Sequence, residues 1–152
     1  MSFVPFVATP PDVVKRMLEL ANVNFQDVLY DLGSGDGRIL ITAIKEFNAK
    51  KAVGIELRDD LAKNTMEEIK KQAFEDKIVV IKDDFHKIPI SDADVITLFL
   101  TTAANERLKP KLERELKSGT RIVSHDYEIV GWKPNKSENL GQHTIYLYIF
   151  RR

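Results

Sequence analysis

A glycine-rich turn beside an acidic residue is the feature of this sequence that points most directly to chemistry. The turn, Tyr30–Gly37, lies between an apolar run and an amphipathic one. Glycines where a strand meets a helix let a ligand approach the backbone closely, and the first turn of the helix has free N–H donors. The sequence therefore predicts a ligand site here, with Asp31, Gly33 and Gly35 among its residues.

The charge of Asp31 narrows the choice of ligand. A pyrophosphate would be repelled by this carboxylate, whereas the ammonium of a bound amino-acid moiety would be attracted. The glycine spacing agrees, because the third glycine of a dinucleotide motif would fall at position 38, which is Arg38. A P-loop is excluded as well, because no Lys followed by Ser or Thr comes after the last glycine. Together these features favour S-adenosyl-L-methionine over NAD.

Further acids stand where the next two apolar runs end. Glu56 follows Gly33 by about 20 residues, the place from which an acid accepts ribose hydroxyls, and Leu57 lies beside it. The segment 83–85 follows the third run, and we expect its carboxylates to accept from an adenine amino group. Adjacent acids are also common in turns. The predicted cofactor residues beyond the glycine turn are thus Glu56, Leu57, Asp83, Asp84 and Phe85.

Strands that alternate with helices are needed to bring these acids to one edge. Apolar runs over 28–32, 52–57, 78–81, 95–100 and 120–124 predict five buried strands, and helical stripes separate them. The pattern predicts a Rossmann-like, open, mostly parallel α/β sheet with helices on both faces. Runs over 128–132 and 144–150 predict a C-terminal antiparallel hairpin. The first helix begins near Pro11, and Pro110 should kink or divide the helix that precedes strand five.

Composition limits the remaining classes. At 152 residues we expect one domain, 1–152, whose first 21 residues form a covering segment and a helix. Lys plus Arg and Asp plus Glu each total 23, so no net field attracts nucleic acid or an anionic membrane. The chain has no cysteine, so disulfides and thiolate metal sites are excluded, and no metal cofactor is expected. Without a leader or a spanning run, we expect a cytoplasmic protein.

These motifs resemble those of class I, seven-strand S-adenosylmethionine-dependent methyltransferases. The resemblance is to an ordered set of motifs and covers about residues 27 to 125. The set comprises the glycine turn, Glu56, the segment 83–85 and the segment 116–120. The segments 4–10 and 124–132 resemble crenarchaeal broad-specificity protein lysine methyltransferases. The resemblance implies an archaeal, monomeric enzyme that methylates exposed lysines on several proteins, including small basic chromatin proteins, and releases S-adenosyl-L-homocysteine.

The resemblance also assigns residues to the acceptor side. Phe6, Val7 and Thr9 would lie near the methionine end of the cofactor, although the apolar ones equally suit a cap on the core. Tyr127 and Trp132 would wall a slot for a lysine stem. Aromatic residues at such positions are as often core residues. His125 is the candidate proton acceptor or substrate contact.

Two other functions are compatible with the sequence. Segment 97–105 lacks the Asp/Asn-Pro-Pro-Tyr/Phe motif, which disfavours adenine or glutamine as acceptor. A small-molecule or RNA methyltransferase is the alternative, and a basic stripe of Lys109, Lys111, Arg114 and Lys117 would serve RNA. The same stripe is more simply a solvated helix face paired with Glu113 and Glu115. A cofactor-binding module without catalysis is the other class.

Overall fold

One seven-stranded sheet organises the chain. The computed structural model describes residues 6–152, so the part of the N-terminal motif at positions 4 and 5 lies outside the described residues. The strand order is β3-β2-β1-β4-β5-β7-β6. Strands β1 to β5 run parallel, and β7 pairs antiparallel with both β5 and β6. The bounds are β1 Val28–Leu32, β2 Lys51–Glu56, β3 Ile78–Lys82, β4 Val95–Leu98, β5 Arg121–His125, β6 Lys136–Leu140 and β7 His143–Ile149. The predicted fold class is confirmed.

Within residues 6–152, the helix α1 Pro11–Leu20 precedes the first strand. The parallel strands are connected by α2 Arg38–Lys45, α3 Asp59–Lys71, the short 3-10 turn Phe85–Lys87 and α4 Thr102–Glu115. Pro11 occupies the first position of α1, where its missing N–H removes no bond. The side chain of Thr101 caps α4 by accepting from the Ala104 N–H.

Two hydrophobic clusters cover the two faces of the sheet. Apolar residues of α1, α2 and α3 pack on one face around Leu29 of β1. Apolar residues of α4 pack on the other face around Leu32 of the same strand. Burial on both faces explains why the parallel strands are continuous apolar runs. Because both faces are covered, the edge formed by the strand ends is the part of the sheet at which a polar ligand can bind.

The C-terminal hairpin is confirmed, but its first strand is not where the sequence predicted it. Residues 128–132 form a loop rather than a strand, and β6 lies at Lys136–Leu140. The loop turns at Gly131, whose φ is +89°, and the Ile129 N–H donates to Tyr148 Oη at 2.9 Å. β6 is a polar, half-exposed edge strand, so its pairing with β7 determines its structure more than its own weak strand propensity.

Pro110 does not divide the helix that contains it. α4 runs from Thr102 to Glu115 with the proline inside. The proline removes one N–H donor from the helix. Leu108 and Leu112 on either side of it are fully buried, so packing against the sheet holds the helix together across this position. Among residues 6–152, none of the helices has the length and apolar character required to cross a membrane.

Gly54, in the middle of β2, offers a test of this packing. A Cβ added there would stand 2.5 Å from Leu40 Cδ1 and 2.6 Å from Ser34 Oγ. We expect Gly54→Ala to lower the free energy of unfolding by about 1–3 kcal/mol through overpacking, measured by urea denaturation. Lys51→Ala, at an exposed position of the same strand, should change it by less than about 0.5 kcal/mol. Equal stability of Gly54→Ala and the unaltered chain would contradict the packing described.

Candidate functional site

A cleft opens at the carboxyl edge of the sheet, beside β1. This strand pairs with β2 on one side and β4 on the other, so the chain connections diverge there and leave a crevice, the place where open α/β sheets bind ligands. The cleft has a volume of about 460 Å³, within the usual range of small-molecule sites. Its walls are formed by Phe6, Val7, Thr9, Asp31, Gly33, Ser34, Asp36, Arg38, Ile39, Phe99, Leu100, Thr101, Ala104 and Tyr127.

The glycine turn forms the floor of this cleft. The N–H groups of Gly33 and Ser34 both donate to the carbonyl of Ile55, at 2.8 and 3.1 Å, which fastens the turn to β2. Gly35 has a φ of +58°, and a Cβ there would stand 2.3 Å from Cε1 of Phe6. The absence of a side chain at Gly35 therefore allows the Phe6 ring to lie directly on the turn. Phe6, Val7 and Thr9 thus line the cleft beside the turn, and their contact with the methionine end of a cofactor stays a prediction.

Asp31 is the buried charge of the site. Its side chain lies at the end of β1, only 3% exposed, and accepts a hydrogen bond of 2.9 Å from Thr97 Oγ1 on β4. The pKa of Asp31 is raised to about 7, chiefly by burial; the hydrogen bond from Thr97 lowers it, and the nearby carboxylates of Glu56 and Asp36 add to the rise. A cationic group in the cleft would favour the ionised form of this carboxyl.

Glu56 braces the turn from the neighbouring strand. One carboxylate oxygen accepts from the Gly35 N–H at 2.7 Å, and the other accepts from the Arg58 N–H at 2.9 Å. Each oxygen keeps a second lone pair with which it can accept a ligand hydroxyl. Leu57, beside it, is 67% exposed.

The acids after β3 continue the same edge beyond Glu56. The Asp83 N–H donates to the carbonyl of Glu56 at 3.2 Å, so these two strand ends are adjacent. Asp84 caps the 3-10 turn by accepting from the His86 N–H at 2.9 Å. Phe85 packs against the hydrophobic cluster on the face of the sheet that α4 covers. Glu56, Leu57, Asp83, Asp84 and Phe85 lie along the predicted edge, but they do not line the cleft around Asp31.

The predicted acceptor residues separate into three places. Tyr127 lines the cleft, and its ring stacks on Phe99 with centroids 6.3 Å apart. His125 is fully buried behind Thr9, whose Oγ1 lies 3.1 Å from His125 Nδ1. Burial lowers the pKa of His125, partly offset by Asp126. Trp132 lines a second cavity, against Tyr148 and Phe150, so the structure does not bring Trp132 and Tyr127 together as walls of one slot.

Several residues of the cleft were missed by sequence reasoning. Arg38 pairs with Asp36 and donates to the carbonyl of Thr9 at 3.1 Å, which ties the N-terminal segment to the glycine turn. Both residues flank the glycines, so the motif itself carried the signal. Phe99 and Leu100 follow β4 directly, and the rule that ligands bind at carboxyl ends would have identified them once β4 was placed beside β1.

Asn105 is a further missed residue, although it does not line the cleft. It lies in the first turn of α4 and is buried. Its Nδ2 donates to the carbonyls of Tyr127 and Glu128, each at 3.2 Å. The side chain therefore holds the loop that carries Tyr127 into the cleft.

Comparison with known families identifies the class of protein. The family model described as the ANTKMT methyltransferase domain matches residues 31–136, which include Asp31, the glycines of the turn, the end of β1 and all of β2 to β5. The chain belongs to the ANTKMT methyltransferase family. The class I methyltransferase prediction made from the motifs is thereby confirmed.

Individual relatives of this ANTKMT-family chain include proteins that act on lysine. A protein-lysine N-methyltransferase of Saccharolobus islandicus (strain REY15A) is 50% identical over 150 residues, which are 96% of this chain and 93% of that protein. The adenine nucleotide translocase lysine N-methyltransferase of Mus musculus is 27% identical over 145 residues, 95% of this chain. The chain covers 62% of the length of that mouse protein.

A solved structure shows the same fold. The crystal structure of an RNA methyltransferase from Salinibacter ruber in complex with S-adenosyl-L-homocysteine is 42% identical and superposes with a TM-score of 0.93, covering 95% of this chain and 94% of the other. The predicted cofactor, S-adenosyl-L-methionine, agrees with the demethylated product bound in that protein and with membership of a methyltransferase family.

The buried carboxyl of Asp31 generates a prediction about pH. Because its folded pKa of about 7 lies above its ordinary 3.8, the native state holds this proton more tightly than the unfolded chain does. The contribution of Asp31 to stability is thus lost as pH rises from about 4 to about 7. Asn at this position keeps an oxygen that accepts from Thr97 and cannot ionise. The difference in unfolding free energy, Asp31→Asn minus the unaltered chain, should therefore increase over this range by up to roughly 4 kcal/mol.

Urea denaturation at about pH 5 and about pH 8 should show roughly 2–3 kcal/mol of that increase, because the rest falls below pH 5. Asp76→Asn, at an exposed acid outside the cleft, is the matched control, and its difference should stay constant within about 0.5 kcal/mol. A difference for Asp31→Asn that is flat or falls with pH would show that the carboxyl is ionised throughout.

Proposed function

We propose that this ANTKMT-family chain transfers methyl groups from S-adenosyl-L-methionine to lysine side-chain amines of proteins, over a broad range of substrates. The observation that carries the proposal is the 50% identity, over 96% of the chain, to a curated protein-lysine N-methyltransferase. The match extends over nearly the whole chain and therefore beyond the cofactor motifs.

The geometry of the cleft supports S-adenosyl-L-methionine as the methyl donor. Asp31 is a buried carboxylate with one hydrogen-bond donor among the described side chains, Thr97, and it suits the ammonium of the methionine moiety. The side chain of Ser34, in the cleft wall, has a buried Oγ for which the described residues provide no hydrogen-bond partner. Glu56 can accept ribose hydroxyls through its remaining lone pairs, and we assign the adenine to the segment 83–85, which continues the same strand-end edge outside the cleft. The donor set therefore fits the predicted cofactor.

The apolar part of the cleft suits a lysine stem. Phe6, Val7, Phe99 and Tyr127 surround it, so an alkyl chain that enters would be desolvated. Lysine must lose a proton before transfer, and lowering its free pKa of about 10.4 toward neutrality corresponds to about 4–5 kcal/mol. Desolvation and the sulfonium charge of the donor both act in this direction. In-line positioning of the amine can supply a further ~7–11 kcal/mol.

His125 fits a positioning role in this proposal. Thr9 Oγ1 and the Phe99 ring, 3.9 Å from the imidazole by centroids, both stand between His125 and the cleft. The imidazole thus orients two residues of the cleft wall rather than meeting the amine directly. We further propose small basic chromatin proteins among the substrates, and a single-domain monomer that acts in the cytoplasm without strong nucleic-acid binding.

RNA methylation is the second candidate function, because a 42% identical structure carries the name of an RNA methyltransferase. The contacts of the predicted basic stripe, on α4 and just after it, argue against RNA methylation. Lys111 is buried and pairs with Glu115 at 2.7 Å, and Lys117 pairs with Asp94 at 2.7 Å. Lys109 donates to the carbonyl of Val130, and Arg114 stands 3.8 Å from Glu115. Since these cations already have partners, they form a weak phosphate-binding surface.

A labelling experiment separates the two candidates. The purified chain is incubated with methyl-labelled cofactor and, in separate reactions, a lysine-rich protein, the same protein with every lysine changed to arginine, and total RNA. We expect label only in the first reaction, and none with Gly35→Val, whose side chain would collide with Phe6. Label that persists in the arginine protein would refute lysine methylation, and label in RNA would favour the second candidate.

Tyr127 tests which wall of the cleft meets the substrate. It is 37% exposed at the cleft and stacks on Phe99. We expect Tyr127→Ala to lower kcat/KM for the protein substrate about tenfold or more, because an aromatic contact with the lysine stem is lost. The Kd for S-adenosyl-L-homocysteine, measured by calorimetry, should change less than about threefold.

Phe25→Ala is the matched control, since Phe25 is an exposed aromatic, 72% accessible, outside the residues that line the cleft. It should leave both constants unchanged. An equal loss of product affinity and of kcat/KM in Tyr127→Ala would instead assign Tyr127 to the cofactor.

A further inference from the structure

Two histidines and an aspartate converge where β5 ends and β7 begins. His125 is the last residue of β5, Asp126 follows it, and His143 is the first residue of β7. His125 Nε2 lies 2.8 Å from His143 Nδ1. Asp126 Oδ2 lies 3.5 Å from the first of these nitrogens and 3.6 Å from the second. Three donor atoms thus form a small triangle outside the cleft.

The dimensions of this triangle match one face of a metal coordination tetrahedron. Imidazole nitrogens and carboxylate oxygens bind Zn²⁺ at about 2.0–2.2 Å, so neighbouring donors around the ion stand roughly 3.3–3.5 Å apart. The separations of 3.5 and 3.6 Å lie at the top of this range and just above it, and the third requires the two nitrogens to part by about 0.5 Å. His143 is partly exposed, with 35% of its side chain accessible, which allows an ion to enter and a water to complete the coordination.

The remaining polar atoms of two of these side chains are already engaged, as is usual around metal ligands. His125 Nδ1 lies 3.1 Å from Thr9 Oγ1, so a proton on Nδ1 can be donated to the hydroxyl and the lone pair of Nε2 faces the triangle. Asp126 Oδ1 accepts from the Thr144 N–H at 3.0 Å, which leaves Oδ2 for the triangle. These contacts are compatible with the tautomer and leave the oxygen that an ion needs, and the hydrogen bond between His125 Nε2 and His143 Nδ1 would be replaced by bonds to the ion.

The backbone is also held in place for this arrangement. Asp126 has a φ of +66°, a conformation that costs a non-glycine residue free energy and that is retained where surrounding contacts impose it. The Asp126 N–H donates to the Thr144 carbonyl at 2.7 Å, and His125 is paired with Ile145 across the two strands. The three ligands are therefore carried by a paired strand end rather than by a mobile loop.

We propose that one divalent first-row transition ion, with Zn²⁺ preferred, is bound by His125, Asp126 and His143, and that water is the fourth ligand. The donor set consists of two imidazoles and one carboxylate, without a thiolate. Such a set binds Zn²⁺ and other first-row divalent transition ions rather than Mg²⁺ or Ca²⁺. The ion would clamp the start of β7 to the end of β5. Through Thr9 it would also fix the N-terminal segment that forms part of the cleft wall.

Metal titration of the full chain tests this proposal. The protein is prepared without a histidine tag, stripped with a chelator and titrated with Co²⁺, whose visible absorption reports tetrahedral nitrogen and oxygen ligands. We expect saturation at one ion per chain, displacement by Zn²⁺, and a Tm increase of about 5 °C or more at a hundredfold excess of Zn²⁺ over its Kd. Mg²⁺ at the same concentration should leave the absorption and the Tm unchanged.

His143→Ala should abolish the absorption band and the Tm increase. His86→Ala removes an exposed histidine of the 3-10 turn and is the matched control, which should keep both. Asp126→Asn provides a second variant, expected to weaken Co²⁺ binding at least tenfold, and circular dichroism verifies that each variant is folded. The proposal would be overturned if the unaltered chain did not bind Co²⁺. It would also be overturned if folded His143→Ala and Asp126→Asn bound Co²⁺ as tightly as the unaltered chain does.

Discussion

The pairing of β1 with β2 on one side and β4 on the other is the constraint on which the site depends. The chain leaves β1 toward one neighbour and later returns to its other side, so the connecting segments diverge above the end of β1 and cannot fill the space between them. The cleft occupies that space. The same pairing brings Thr97 against Asp31, so that the buried carboxyl has a hydrogen-bond donor.

A buried carboxyl next to two other acids is unfavourable by itself. Burial raises the pKa of Asp31 to about 7, and Glu56 and Asp36 act in the same direction. Glu56 supports the turn through the Gly35 N–H, and Asp36 is neutralised by Arg38. Asp31 is therefore the one of these three acids whose negative charge is least compensated, and a cationic ligand would stabilise its ionised form the most. This imbalance connects the stability of the apo fold with the choice of cofactor.

The acceptor side of the cleft is assembled from segments far apart in the chain. The N-terminal segment reaches it through Phe6 and Thr9, and the loop after β5 reaches it through Tyr127. Contacts between side chain and backbone hold both: Arg38 binds the carbonyl of Thr9, and Asn105 binds the carbonyl of Tyr127. The proposed ion site, anchored at His125, would join the two segments. The shape of this part of the cleft thus depends on how these two irregular segments are held to the sheet.

The sequence by itself determined the alternation of strands and helices, the parallel sheet, and the acids that end the first three strands, because hydrophobic period and glycine chemistry are local properties. It did not determine the position of β6, whose polar residues become a strand only by pairing with β7. Nor did it place Trp132 away from the cleft, enclose His125 behind Thr9, or join Asp126 to two histidines. Those outcomes were decided by the tertiary structure, because they depend on which strands are neighbours and on loop paths that no local pattern encodes.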